Sequence, residues 1–262
     1  MLLAIDVGNT NTLFGLHDGR QFAGQWRCAT NHQRTADEYF VWLRSLMDHA
    51  GTATAAVSAV IISSVVPQVL FNLRGLAKRY FGTQALIVGR DECALGVPVR
   101  VDAGTLVGAD RLVNTVGAHD RYGGDLVVVD FGTATTFDVV GHDGAYEGGV
   151  IAPGVNLSIA ALHQAAAALP NIDVAKPERV VGTNTLACMQ SGVFWGYIGM
   201  IEGICARISQ ERARAMKVIG TGGLSTLFAR GTDAIAVIDP DITMHGLVTI
   251  HARNTNGGVS GT

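Results

Sequence analysis

Two stretches of this chain end an apolar run on an acidic residue and then turn through glycine, asparagine and threonine. In "LLAIDVGNTNT" and "LVVVDFGTATT", Asp6, Gly8 and Thr12 fall on Asp130, Gly132 and Thr136 at an offset of 124. A lone carboxylate buried at the end of an apolar strand is costly, so each aspartate needs a metal, a donor cluster or a polar site beside it. Glycine lets backbone N–H groups approach an anion, threonine and asparagine add short donors, and a carboxylate can hold a Mg²⁺-bound water. The D-x-G-x-x-x-T turn therefore predicts phosphate binding. A single copy reads equally as a hairpin whose Asp and Thr bond their own backbone; two copies at strand ends favour chemistry.

Other motifs are weaker alone. "VGADRLVN", residues 107–114, sets Asp110 and Arg111 at the start of an apolar-periodic helix. Two readings stay open: an acidic residue favouring the helix dipole, or a base for a substrate hydroxyl. "YEGGVIAPGVNLS", residues 146–158, leads into a helix start that could face an anion. "GTGGLS", residues 220–225, is a glycine turn against which a purine could lie. No G-x-x-x-x-G-K-[ST] occurs, and Lys78, Lys176 and Lys217 are the only lysines, which excludes a Walker-type NTPase. The first turn also lacks the dinucleotide pattern G-x-G-x-x-G.

The elements that must position these residues follow from periodicity. After the first turn comes a second strand, His17-Asp18-Gly19 as a hairpin, and a third strand; His142-Asp143-Gly144 repeats this at an offset of 125. Helices are predicted over Thr35 to His49, Gln68 to Phe81, 155–169 and Thr185 to Arg214, the last with a break near Gly196 or Gly199. "AAVSAVIISSVVP", "QALIVG", "MKVIGTGGLS" and "AIAVIDP" read as strands, and "MHGLVTIHAR" as the final helix. The pattern is a duplicated α/β fold of two βββαβαβα lobes around a central cleft, with lobes at 1–117 and 118–253 and a loose tail at 254–262.

With 262 residues, 48% hydrophobic and 16% charged, the chain can bury a substantial core. A net charge of −3 argues against a nucleic-acid or anionic-membrane partner. Cys28, Cys93, Cys188 and Cys205 show neither a disulfide framework nor zinc spacing, the histidines form no metal pattern, and no apolar run spans a bilayer, so a cytoplasmic protein is expected.

Taken in order, "DVGNTNT", "GADR", "DFGTATTFD", "GGVIAPG" and "GTNT...MQSG" resemble the type III pantothenate kinases, members of the acetate/sugar kinase, heat-shock chaperone and actin superfamily, over nearly the whole chain. The resemblance implies a duplicated ribonuclease H-like (actin-like ATPase) fold and ATP-dependent phosphorylation of pantothenate in a homodimer, with Mg²⁺ and a monovalent cation, K⁺ or NH₄⁺. It implies that Asp6, Val7, Gly8, Asn9, Thr10, Asn11, Thr12 and Leu13 form the first phosphate loop, Asp6 holding Mg²⁺ through water. Thr133 would contact ATP, Asp130 the monovalent cation, and Asp110 would be the general base. Gly108, Ala109, Asp110, Arg111 and Thr185 would bind pantothenate. Val101 and Gly104 stand where the family often has tyrosine and proline. Alternatives on the same fold are a non-catalytic regulatory protein, a kinase of another small alcohol or a phosphatase.

Overall fold

The computed structural model describes residues 1–90, 92–166 and 168–256. Among the described residues, ten strands form two sheets: β1(Leu2–Val7), β2(Asn11–His17), β3(Phe22–Ala29), β4(Ala59–Ser64) and β5(Ala85–Ile87) in the first; β6(Leu126–Phe131), β7(Ala134–Val140), β8(Tyr146–Pro153), β9(Lys217–Gly222) and β10(Val237–Ile238) in the second. The first runs β3-β2-β1-β4-β5 and the second β8-β7-β6-β9-β10, with β1–β4 and β6–β9 parallel and the hairpins antiparallel. This is the duplicated ribonuclease H-like fold. The helices are α1(Ala36–His49), α2(Leu70–Tyr80), α3(Ala109–Tyr122), α4(Val155–Ala165), α5(Thr185–Glu211), α6(Ser225–Ala229) and α7(Ile242–Asn256).

Strand alternation sorts β1 onto two faces. Leu3, Ile5 and Val7 pack with Tyr39, Leu43 and Met47 of α1 and Leu73 and Leu76 of α2, whereas Leu2 and Ala4 pack with Val113 and Val116 of α3 and Met244, Leu247 and Ile250 of α7. Each such aliphatic side chain contributes ~1.5–3 kcal/mol on burial. Asp6 continues the series Leu2, Ala4 and so belongs to the α3 face. It is the one residue of β1 that is only partly buried, the others being buried, and Asp130 is its counterpart in β6. Helix α1 starts on a capping box, Thr35 accepting from the Glu38 N–H while the Glu38 carboxylate accepts from the Thr35 N–H.

The chain forms two compact units: Met1–Pro98, Asp102–Arg121 and the chain from Ile242 in one; Val99–Val101 and Tyr122–Asp241 in the other. These differ from lobes divided at residue 117, because α7 joins the first unit. The cause is a close crossing of α3 and α7. A Cβ on Gly117 would collide with the Ile242 carbonyl oxygen, and one on Gly246 with that of Val113. Thr243 Oγ1 donates to Asn114 Oδ1 at 2.7 Å, and His245 Nε2 lies 2.7 Å from Asp120 Oδ2. Val99–Val101 joins the second unit through the Arg100 N–H to the Tyr146 carbonyl (2.8 Å) and its guanidinium on Asp143 and Glu147.

Other details depart from the periodicity. Helix α5 runs unbroken past Gly196 and Gly199, because Phe194, Tyr197, Ile198 and Ile201 are buried along it. Helix α4 ends at Ala165, short of the expected residue 169, and with α5 it gives the two helices that periodicity placed before β9, one more than the βββαβαβα pattern has there. Residues 254–256, expected in the loose tail, extend α7, where Asn254 Nδ2 donates to the Ala94 carbonyl (2.8 Å); 257–262 lie outside the described residues. We expect Gly246→Ala to cost ~2–3 kcal/mol by overpacking the α3–α7 crossing, a fall in Tm of roughly 4–10 °C in a thermal melt.

Candidate active site

The first turn joins β1 to β2, and its backbone is tied from within. The Gly8 N–H donates to the Asn11 carbonyl at 2.9 Å. Just past β3, Thr30 donates twice: its N–H to the Thr10 carbonyl (2.9 Å) and its hydroxyl to the Gly8 carbonyl (2.7 Å). Thr12, fully buried, lies 2.9 Å from the Thr30 hydroxyl. Since the Thr30 proton goes to Gly8, Thr12 is the donor in that pair. The carbonyls of Gly8, Thr10 and Asn11 thus all accept from inside the protein. In a planar trans peptide the next N–H points the opposite way, so Asn9 and Asn11 direct theirs away from Thr30. Asn9, Thr10 and Asn11 are exposed, the arrangement an anion requires. Val7 is buried in the core, and Leu13 faces the α3 side.

The second turn repeats this with one residue fewer. Val7 pairs with Thr12, but Phe131 pairs with Thr135, so Thr12 corresponds to Thr135 and not, as the offset of 124 suggests, to Thr136. Thr10 accordingly corresponds to Thr133, and Thr30 to Gly154. The shared bonds are present: Gly132 N–H to Ala134 (3.0 Å) and Gly154 N–H to Thr133 (3.1 Å). The hydroxyl clamp is missing. A Cβ on Gly154 would collide with the Thr133 carbonyl oxygen, and the buried Thr135 hydroxyl has no hydrogen-bond partner among the described residues. Thr133 is exposed, and the Asp130 carboxylate lies against Gly222 at the end of β9.

Asp110 lies in the first turn of α3, on the sheet face that carries Asp6. Gly108 sits 3.7 Å, measured from its Cβ position, from Val65, whose N–H bonds the Val7 carbonyl at 3.1 Å; the "GADR" segment therefore lies beside the end of β1. A Cβ on Gly108 would come within 2.6 Å of Asp110 Oδ1, so glycine makes room for the carboxylate. Burial pushes the Asp110 carboxyl above the usual carboxylate range, against the opposing pull of the Arg111 N–H (2.8 Å) and guanidinium. Ala109 is buried, and Arg111 half-buried.

The first unit thus gathers Asp6, residues 7–13 and residues 108–111. Asp130, Thr133 and Thr185 belong to the second, where Thr185 is the exposed first residue of α5, capped by Asn184 accepting from the Ala187 N–H (2.9 Å). In "PGVNLS", the Ser158 hydroxyl pairs with that of Tyr197 at 2.9 Å, while Asn156 and Leu157 in the first turn of α4 are exposed. The "GTGGLS" turn closes on itself through Ser225 Oγ to the Gly222 carbonyl, 2.8 Å. Motif reading missed Thr30, which lies outside every motif; its signal is its place one residue beyond the strand that flanks the turn.

A model of the family described as type III pantothenate kinase matches residues 2–207. Proteins of that name from Dinoroseobacter shibae and Ruegeria sp. (strain TM1040) are 63% identical over 254 residues (97% of this chain, 99% of that one) and 61% identical over 258 (98% and 99%). This chain belongs to the type III pantothenate kinase family. It is therefore a kinase, a phosphotransferase, and membership favours catalysis over the regulatory alternative. Two solved structures share the fold: a Baf-family protein from Campylobacter jejuni (TM-score 0.63, 19% identity, 97% and 99% covered) and a 2-dehydro-3-deoxygalactonokinase protein from Sinorhizobium meliloti (0.60, 13%, 100% and 99%).

The unequal turns predict opposite responses to one substitution. Thr12→Val breaks the hydroxyl pair and should cost ~1–2 kcal/mol. Thr135→Val removes a buried hydroxyl without a partner and should leave stability unchanged or raise it by up to ~1 kcal/mol; urea unfolding of both variants tests this.

Proposed function

We propose that this chain transfers the γ-phosphoryl group of ATP to the primary hydroxyl of pantothenate, giving 4'-phosphopantothenate at the first step of coenzyme A synthesis, with Asp110 as general base. The observation that carries the reading is the placement of Asp110 on the same sheet face as Asp6, next to the turn whose carbonyls are drawn inward. Asp110 takes the proton of the acceptor hydroxyl while that oxygen bonds to the γ-phosphorus; the bond to the β–γ bridging oxygen breaks, and ADP leaves with the electron pair. Phosphoryl transfer asks the protein for positioning and charge stabilisation, so backbone donors and one base suffice without a phosphate-binding lysine.

The residues fit Mg²⁺ held chiefly by nucleotide. Among the described residues no group of three or more His, Cys, Asp or Glu could hold a metal, and Mg²⁺ commonly sits on phosphate oxygens and waters with one or two carboxylates. Asp6 would hold it through water, and it would neutralise charge on the β- and γ-phosphates. In this reading residues 6–13 and Thr133 bind ATP, and Asp130 holds K⁺ or NH₄⁺. Gly108, Ala109, Arg111 and Thr185 bind pantothenate. The same reading includes a homodimer, supported by the exposed apolar residues Val150 and Ile151 of β8 and Leu157 and Leu162 of α4. It also includes a cytoplasmic location without nucleic-acid or membrane partners; among the described residues no helix is long and apolar enough to cross a membrane.

Asp110→Asn should fold with an unchanged Tm yet lose roughly 10²- to 10⁴-fold in kcat in a coupled assay with ATP, Mg²⁺, K⁺ and pantothenate. Because the carboxylate is the active form, kcat/KM of the parent should fall as pH drops through the Asp110 pKa. Burial places that limb above the ordinary aspartate value of about 3.9. Near-parental turnover by the Asn variant removes Asp110 as the base.

A further inference from the structure

We propose that Thr30 is a positioning residue for nucleotide binding: its hydroxyl holds the Gly8 carbonyl inward and so presents the first turn as a set of N–H donors. The inference rests on the reading of this turn as the phosphate loop, and it adds a residue outside the motif.

The duplication supplies an internal comparison. Both turns keep the two backbone bonds, Gly8 to Asn11 and Thr30 to Thr10 in the first, Gly132 to Ala134 and Gly154 to Thr133 in the second. These bonds are common to both hairpins. Only the first turn adds the run of hydroxyls from Thr12 to Thr30 to the Gly8 carbonyl, at 2.9 and 2.7 Å. In the second, glycine stands at the position of Thr30, and the hydroxyl of the equivalent threonine, Thr135, is buried and without a hydrogen-bond partner among the described residues. The side-chain clamp is thus specific to the first of the two turns. What it fixes is the peptide between Gly8 and Asn9. Without it, that plane can rotate and bring a carbonyl oxygen toward the phosphates, where it repels charge; preorganised donors avoid this reorganisation.

Thr30→Val keeps the side-chain shape and the N–H bond to Thr10 but loses the hydroxyl. Loss of one hydrogen bond of this kind corresponds to about a tenfold weakening, so the Kd and KM for ATP should rise about tenfold while the KM for pantothenate moves less than about twofold. Thr30→Ser retains the donor and should return ATP binding to within about threefold of the parent. Calorimetric ATP titration and steady-state kinetics on the full chain read both. Asn9→Glu, which places a carboxylate on the exposed turn, serves as the reference for phosphate binding there.

Selective weakening of ATP by Thr30→Val with rescue by Thr30→Ser supports the proposal. If Asn9→Glu weakens ATP and Thr30→Val does not, the clamp is overturned while the phosphate-loop reading stands. If neither changes ATP binding, the loop reading fails and takes the clamp with it. Equal rises in both KM values, or a serine variant no better than valine, reduce Thr30 to a structural residue and overturn the proposal.

Discussion

A backbone that binds phosphate must first dispose of its own carbonyl oxygens. Each peptide carries one donor and one acceptor pointing in opposite directions, and an anion near the turn is stabilised only where the acceptors face elsewhere. In the turn after β1, three successive choices meet that demand: the Asn11 carbonyl is taken by Gly8, the Thr10 carbonyl by the Thr30 amide, and the Gly8 carbonyl by the Thr30 hydroxyl. The parallel neighbour β4 and the continuation of its ladder through Val65 bring the end of β1 and the "GADR" segment to one edge of the first unit. Sheet order, core packing and the placement of Asp110 all serve that edge.

The two units show how a duplication divides labour. Strand order, pairing direction, the burial pattern of β1 and β6, and the backbone bonds of both turns coincide. They part at the turns themselves. The first turn has Asn9 as its extra residue and a side-chain clamp; the second is shorter, and Gly154 lets the backbone close directly on Thr133. The terminal helices also break the symmetry, since α7 packs with α3 in the first unit, crossing it through Gly117 and Gly246.

Much of this was legible in the sequence. The acidic turns and the "GADR" helix stand out because their residue types conflict with the apolar runs around them, and such conflicts mark sites. The strands and α1, α2 and α3 follow from periodicity. The register of the second turn was not legible: adjacent threonines at 135 and 136 let the alignment slide by one residue, and only strand pairing decides between them. The uninterrupted α5 was hidden because glycine propensity is weak against the burial of four large side chains. The destination of α7 was hidden too, because an apolar helix face does not name the sheet it will cover.

As the base we propose, Asp110 sits in an environment that balances two opposed demands. A carboxylate in water is too weakly basic to take a proton from an alcohol, and burial strengthens it by penalising the charged form. Burial without compensation would leave it protonated and useless. Here the Arg111 N–H and guanidinium and the N-terminal end of α3 favour the carboxylate, while Gly108 leaves the space its oxygen occupies. The motif Gly-Ala-Asp-Arg therefore reads as one device. Glycine admits the carboxylate, a buried alanine flanks it, aspartate supplies the base we propose, and arginine limits how far burial can raise its affinity for the proton.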